Sequence, residues 1–249
     1  MLSQEKLYLK NLNYSEEKIG DKTLLVPKNF FDSDDILYFE NKTAEDIWRY
    51  LIKPKKLSEI VDYIKKCFDI YEVKEIKNDI LLFMDSLLER QAIKEIDDIK
   101  IIPVSQSSSE NLSEILSKDI KLNHSLNGSD PKNIMPNEFY ENIVKWQDKT
   151  NSIVYSIVFD NKDIGTISLS HMELNKKTAR IGYWLASEYW SFGLCSRAFS
   201  KVLEIAKAKS FKTVLCSIPL DNSNSFKIWK HYNIEYEIID NNYKVSLNL

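Results

Sequence analysis

Residues 181–198 read IGYWLASEYWSFGLCSRA, and the periodicity of the pattern changes inside them. Ile181–Leu185 carry the aromatic and aliphatic residues of a strand, while Gly193 precedes Leu194, Cys195 and Ser196, where an amphipathic helical pattern starts. A chain that passes from strand to helix through a glycine leaves the first helical amides without intrahelical acceptors. Glycine also lacks the Cβ that would hold a ligand away from them. About half a positive charge sits at such a helix start, so this turn reads as a seat for a pyrophosphate held by backbone donors. The same joint also connects strands to helices where nothing binds, so the neighbouring sequence must decide.

Downstream, FKTVLCSIP at 211–219 is a strand candidate, and DNSNSFKIWKHYNI at 221–234 opens a second helix with Asn222 and Ser225 at N-x-x-S spacing. In order and spacing these pieces resemble the GNAT acyltransferases, most closely the ribosomal-protein N-terminal acetyltransferase branch. The pattern of that branch runs G-Y-W-L, then W-G-x-G-x-A-T-E-A, then N-x-x-S. The resemblance covers about residues 98–249. It implies a GNAT mixed-sheet α/β domain with acetyl-CoA or a longer acyl-CoA as co-substrate. It further implies pantetheine pairing along Tyr183, Trp184 and Leu185, pyrophosphate binding at Phe192, Gly193, Leu194, Cys195 and Ser196, and a pantetheine contact from Asn222.

The departures from the pattern are specific. Phe192 stands where the family often has a cation, and Cys195 is bulkier than the usual Gly or Ala. Both put cofactor affinity in question, with Arg197, Lys227 and Lys230 as candidates to restore positive potential. Trp229 occupies the position at which many members place an acidic tyrosine, and an indole N–H only donates hydrogen bonds. The resemblance therefore moves protonation of the leaving thiolate to Ser225, whose other reading is a hydroxyl cap of its helix. For the general base it points to Glu237, acting through water, with Glu173 and His171 as rivals. Cys195 at a helix start also raises a nucleophile reading, but acyl transfer in this family is direct, and the sequence places no histidine beside it as a base.

Upstream, residues 6–40 read as three short strands, KLYLKNL, KTLLVP and DDILYFE, with turns at 13–21 and 27–33. Helical spacing follows at 43–52, at 58–67 with Ser58 as N-cap, and at about 72–90, where Val73, Ile76, Ile80, Phe83, Met84 and Leu87 share a stripe. Three strands then three helices predict a small winged-helix-like domain, residues 1–96, ahead of a second domain at 97–249, an α+β arrangement overall. NKTAEDIW, followed by the KLSEIVDYI and KNDILLFMDSLLERQAI segments, resembles the PqqD-type domain that recognises ribosomally made peptides. Asn41, Thr43, Ala44, Ile47 and Trp48 match its first helix, while Gln91 and Ala92 replace its common terminal glycine. The resemblance implies that a precursor's leader adds as a strand at the 34–40 edge, against Ile36, Tyr38, Ile80 and Met84.

Charge separates this reading from nucleic-acid binding. Residues 1–98 hold 16 Lys plus Arg against 21 Asp plus Glu, and an acidic face repels phosphate. The chain of 249 residues has room for two cores, no apolar run long enough to span a bilayer, and an N-terminus without the apolar centre of a signal peptide. Three cysteines without a CxxC pair suggest reduced thiols in a cytoplasm, and the three histidines lack metal-ligand spacing, so no metal is expected. Together these readings predict a leader-guided N-acyltransferase acting on a peptide amine. The alternatives are a general protein or small-molecule N-acetyltransferase with a structural N-terminal domain, and an inactive peptide-binding protein.

Overall fold

In a computed structural model the chain divides into two compact units, Met1–Asp98 and Ile99–Leu249. The structure describes residues 2–11, 13–20, 22–28, 36–39, 41–68 and 73–249. The division falls two residues after the boundary expected from the sequence.

The first unit runs β1 (Leu7–Lys10), β2 (Tyr14–Ile19), β3 (Lys22–Pro27), β4 (Leu37–Tyr38), α1 (Lys42–Tyr50), β5 (Lys55–Lys56), α2 (Leu57–Phe68), α3 (Val73–Glu89) and β6 (Ile93–Ile96). Its strands make two antiparallel three-stranded sheets, ordered β5-β1-β6 and β2-β3-β4. The expected turn at 13–21 is thus largely strand β2, and after α3 the strand β6 returns to pair with β1. The polar stretch YSEEKI reads as a turn because it lacks an apolar face. It is strand nonetheless, because Glu16 accepts hydrogen bonds from the Trp48 indole at 2.8 Å and from Lys10 Nζ at 2.5 Å, fastening the hairpin to α1. Asn41 caps α1 by accepting from the Ala44 N–H at 2.9 Å. Helix α2 starts at Leu57, so Ser58 lies inside it and the Glu59 carboxylate takes the Lys56 N–H instead.

The second unit runs β7 (Lys100–Pro103), α4 (Ser108–Lys118), α5 (Ile120–Asn127), α6 (Pro136–Thr150), β8 (Ile153–Phe159), β9 (Lys162–Glu173), β10 (Thr178–Leu185), a 3-10 turn (Ser187–Tyr189), α7 (Leu194–Ala208), β11 (Thr213–Pro219), α8 (Ser223–Lys230), β12 (Ile234–Ile239) and β13 (Asn242–Asn248). Its seven-stranded sheet has the order β12-β13-β11-β10-β9-β8-β7. Only β10 and β11 run parallel, and they pair from Thr178↔Thr213 to Arg180↔Leu215 and no further. Beyond that point β10 stays with β9 as far as Leu185 and β11 stays with β13 as far as Pro219, so the sheet splits between them. On one face α7 packs Phe199 against Tyr183 and Trp229. On the other, buried Ser109 and Ser113 of α4 meet a strand, β9, whose Thr166, Ser168 and Ser170 are buried too, and small side chains permit that close approach. Gly165 is required where β9 pairs with the end of β10 opposite Leu185, since a Cβ there would lie 2.3 Å from the Trp184 carbonyl oxygen.

Candidate active site

Three features converge at the split in the sheet. The first is the start of α7. Gly193 has φ +78° and Ser191 has φ +65°, so the turn coils into a left-handed conformation that glycine adopts without strain. The first intrahelical bond runs from the Arg197 N–H to the Gly193 carbonyl at 3.1 Å, so the amides of Leu194, Cys195 and Ser196 precede it. No side chain caps them. The other two helices at the cavity are capped, α8 by Asn222 and α5 by Asp119. The uncapped start is the arrangement that favours an anion.

The second feature is the unpaired flank of β10. Past Arg180 its backbone has lost β11 and faces a cavity of about 480 Å³ lined by Tyr183, Trp184, Leu185, Gly193, Leu194, Cys195, Ser196, Asn222 and Ser225. Of the residues expected at the cofactor, Phe192 alone does not line it. Its ring turns onto Tyr189 at 6.4 Å and its N–H bonds the Tyr189 carbonyl, so it serves as packing for the turn. Lys227 does line the cavity. Lys230 lies over the rings of Phe226 and Tyr236 instead.

The third feature is Ser225. Asn222 takes the capping role through its side-chain oxygen, which accepts the Ser225 N–H at 3.0 Å, so the Ser225 hydroxyl is free of that duty. It lies 2.7 Å from the Tyr183 hydroxyl. Burial, reinforced by the neighbouring Cys195, pushes the Tyr183 hydroxyl far above its ordinary value, so it stays protonated. Burial also pushes the Cys195 thiol up to about 12 and the Cys216 thiol up to about 11, the reverse of an activated nucleophile. Trp229 is fully buried against Phe199.

Glu237 is placed elsewhere. It sits on β12, cross-strand from Lys244, and lines a second cavity of about 440 Å³ with Arg180, Ser217 and Glu235. Three strand spacings, about 14 Å, separate β12 from β10. A base at Glu237 would therefore act through water, as the resemblance implies, and Glu237 shares its cavity with Arg180 of β10 and Cys216 of β11. Its rivals Glu173 and His171 lie at the far end of β9, where the ring of His171 meets Trp146.

Sequence reasoning missed α5. This helix supplies Leu122, Ser125 and Leu126 to the main cavity. The signal was present in its ends, with Asp119 before it as an N-cap and Gly128 after it at φ +68°. Asp119 also accepts the Ser187 N–H at 2.6 Å, clasping α5 to the 3-10 turn.

In the first unit, the expected edge strand is β4, but residues 34, 35 and 40 of that segment lie outside the described residues. Tyr38 is 56% exposed and Ile36 is half-buried, while Ile80 and Met84 are 1% and 0% exposed in the core with Phe39, Trp48 and Ile60. The α3 stripe therefore faces inward, and Ile80 and Met84 are corrected from groove to core. Strand β4 pairs with β3 along one side and lies at the edge of its sheet.

Residues 100–234 match the family described as "Acetyltransferase (GNAT) domain", and residues 35–93 match "Coenzyme PQQ synthesis protein D (PqqD)". No curated protein matches the chain in sequence. Among solved structures, RimJ of Mycobacterium smegmatis in complex with CoA-disulfide aligns with TM-score 0.53 and 16% identity, over 60% of this chain and 81% of RimJ. Microcin C7 self immunity acetyltransferase MccE, in complex with acetyl-CoA and AMP, aligns at 0.52 and 18%, over 61% and 93%. Spermidine N-acetyltransferase from Vibrio cholerae, in complex with CoA and spermine, aligns at 0.51 and 10%, over 61% and 95%. Among the described residues no helix is long and apolar enough to cross a membrane.

Proposed function

Because the chain belongs to the GNAT acetyltransferase family and carries a PqqD-type domain ahead of it, we propose that it acylates an amine of a ribosomally made precursor peptide whose leader is held by the first unit. The acyl group comes from acetyl-CoA or a longer acyl-CoA. The observation that carries the reading is the convergence on one cavity of an uncapped helix start, an unpaired strand flank and a serine hydroxyl.

In this reading the Leu194–Ser196 amides and Lys227 hold the pyrophosphate, and the free flank of β10 with Asn222 aligns the pantetheine. The acceptor amine attacks the thioester carbonyl from the split. As the C–S bond breaks, its electron pair goes to sulfur and the Ser225 hydroxyl supplies the proton. The nitrogen sheds its own proton through water, which restores Ser225. The acceptor amine must be neutral to attack, so kcat/KM rises with pH along the amine's own titration.

The leader-binding unit enters through effective concentration. A leader held by the same chain keeps the core peptide near the acyltransferase, which then needs little sequence recognition of its own. The test is mass spectrometry of candidate precursor, encoded by a small reading frame beside the gene, incubated with the protein and several acyl-CoAs. Acylation of full-length precursor well ahead of leaderless core is expected. Equal rates on both would reduce the first unit to a structural role, and no acylation with any donor would leave a peptide-binding protein.

A further inference from the structure

The cavity holds a hydrogen-bond relay behind Ser225 that the acyl-transfer scheme does not use. Its foot is Trp229, whose fully buried indole N–H has no acceptor in hydrogen-bonding geometry among the described residues. It lies within reach of the Tyr183 hydroxyl, near enough to favour that group's anionic form, although burial outweighs it. An indole nitrogen can only donate. The Tyr183 hydroxyl therefore cannot place its single proton on Trp229. That proton has two acceptors at hand, the Ser225 Oγ at 2.7 Å and the Ser225 carbonyl at 3.4 Å, and the shorter contact takes it. With Tyr183 as the donor of this bond, one lone pair of Oγ is occupied and the Ser225 proton is left to point into the cavity that Ser225 lines.

We propose that Tyr183 is a positioning residue for the acid step: with Trp229 behind it, it fixes the direction of the Ser225 hydroxyl so that its proton faces the leaving sulfur. The proposal rests on Ser225 as the proton donor. In the step itself the new N–C bond forms and the C–S bond breaks, the electron pair goes to sulfur, and the Ser225 proton follows it. The Tyr183 proton stays on its own oxygen throughout, and the shortening Tyr183–Ser225 hydrogen bond stabilises the negative charge that develops on Oγ. The nitrogen's departing proton returns to Ser225 through water, so both hydroxyls end as they began.

The experiment compares wild type, Tyr183→Phe, Ser225→Ala and the double variant on two acyl donors. One is the acyl-CoA thioester, and the other is its oxygen-ester analogue, in which oxygen replaces the leaving sulfur. An alkoxide is a far more basic leaving group than a thiolate, whose conjugate acid titrates near about 8.5, so aimed proton donation matters more for the oxygen ester. Tyr183→Phe should lower kcat on the thioester on the order of tenfold, with KM for acyl-CoA within about twofold, and should lower it further on the oxygen ester. Ser225→Ala should fall on the order of 10²-fold, and the double variant no further, because Tyr183 acts only through Ser225. An equal Tyr183→Phe loss on both donors, or a loss in KM alone, would overturn the relay and leave a packing role. A Ser225→Ala variant with unchanged kcat would instead overturn the acid assignment on which it rests. If Tyr183→Phe fails to bind CoA, Trp229→Phe decides: a smaller loss, again greater on the oxygen ester, supports the relay, and a loss equal on both donors overturns it.

Discussion

Both units offer ligands the same kind of group, backbone donors and acceptors without partners, but they arrange them differently. At the start of α7 the free amides of Leu194, Cys195 and Ser196 point toward one spot, and the helix dipole adds to them, which suits a compact anion. At β4, the two described residues Leu37 and Tyr38 lie at the edge of their sheet, where the proposed leader would pair backbone to backbone at strand spacing, an uncharged mode that suits an extended peptide. The convergent site is deep and needs one irreplaceable conformation. In the proposed function the linear site would spread its affinity over many weak contacts and tolerate single changes. The predictions test that contrast.

The largest effect is expected where the contrast vanishes, in the core of the first unit. Met84 is wholly buried with Ile80, Phe39 and Trp48, and an aspartate there has neither water nor a partner. Met84→Asp should cost about 3–5 kcal/mol and abolish the thermal transition of the first unit. CoA binding should persist. A folded first unit with weakened peptide binding would instead return Met84 to the groove.

Next comes Gly193. A Cβ there would meet nothing within 4 Å, so it enters open space at the cavity that Gly193 lines. Valine would add strain at φ +78°, about 1–2 kcal/mol for a residue held in the left-handed region. Together, strain and obstruction should weaken CoA binding by about 10²-fold or more, near 3 kcal/mol, as calorimetry would show. Unchanged affinity would place the phosphate seat elsewhere.

Asp119 sharpens the convergent side. Burial alone would raise its pKa, but the N–H groups of Ser187 and Leu122 outweigh burial and hold the carboxylate below its ordinary value of 3.8. A pKa depressed in the folded state contributes stability that is present above the unfolded value and lost as pH falls through the folded one. Asp119→Ala should lower the stability of the second unit by about 1–2 kcal/mol at neutral pH, with Asp119→Asn much milder because asparagine still caps. The gap between wild type and the asparagine variant should close below about pH 4. A gap that persists in acid would mean that the clasp does not act through its charge.

The sequence was most readable where local chemistry sets the structure. Gly193, Asn222 and Asn41 each stand where a turn or cap demands their residue type, and the strands around the split carry alternating or apolar patterns that match their burial. It was least readable where a distant partner decides. Nothing within YSEEKI announces a strand until Trp48 and Lys10 reach Glu16, and the α3 stripe gives no sign of which residues face a groove rather than a core. Tyr183 shows the same limit inside the site. Its backbone role follows from the motif, whereas its hydroxyl contact with Ser225 spans 42 residues of sequence and belongs to the tertiary packing of α8 on β10.

The smallest effect is expected at the linear site, on Tyr38. Its side chain is 56% exposed on β4, with Lys22 Nζ 5.5 Å from the ring centre, so aspartate would keep the fold and gain a neighbouring cation. A peptide added along this edge would lose one cross-strand contact with an aromatic ring and keep its backbone bonds. Such a pair contributes about 0.2–1 kcal/mol, so Tyr38→Asp should weaken leader binding by no more than about fivefold. N-methylation of alternate backbone amides of the leader should do far more, because it removes the donors on which strand addition depends. The two perturbations separate the modes of recognition when leader binding is followed by fluorescence anisotropy. If methylation is harmless and Tyr38→Asp abolishes binding, the first unit reads side chains in a pocket, and the comparison with the start of α7 fails. If methylation on one register abolishes binding while the other register and Tyr38→Asp change it only slightly, the leader lies on β4 as a strand.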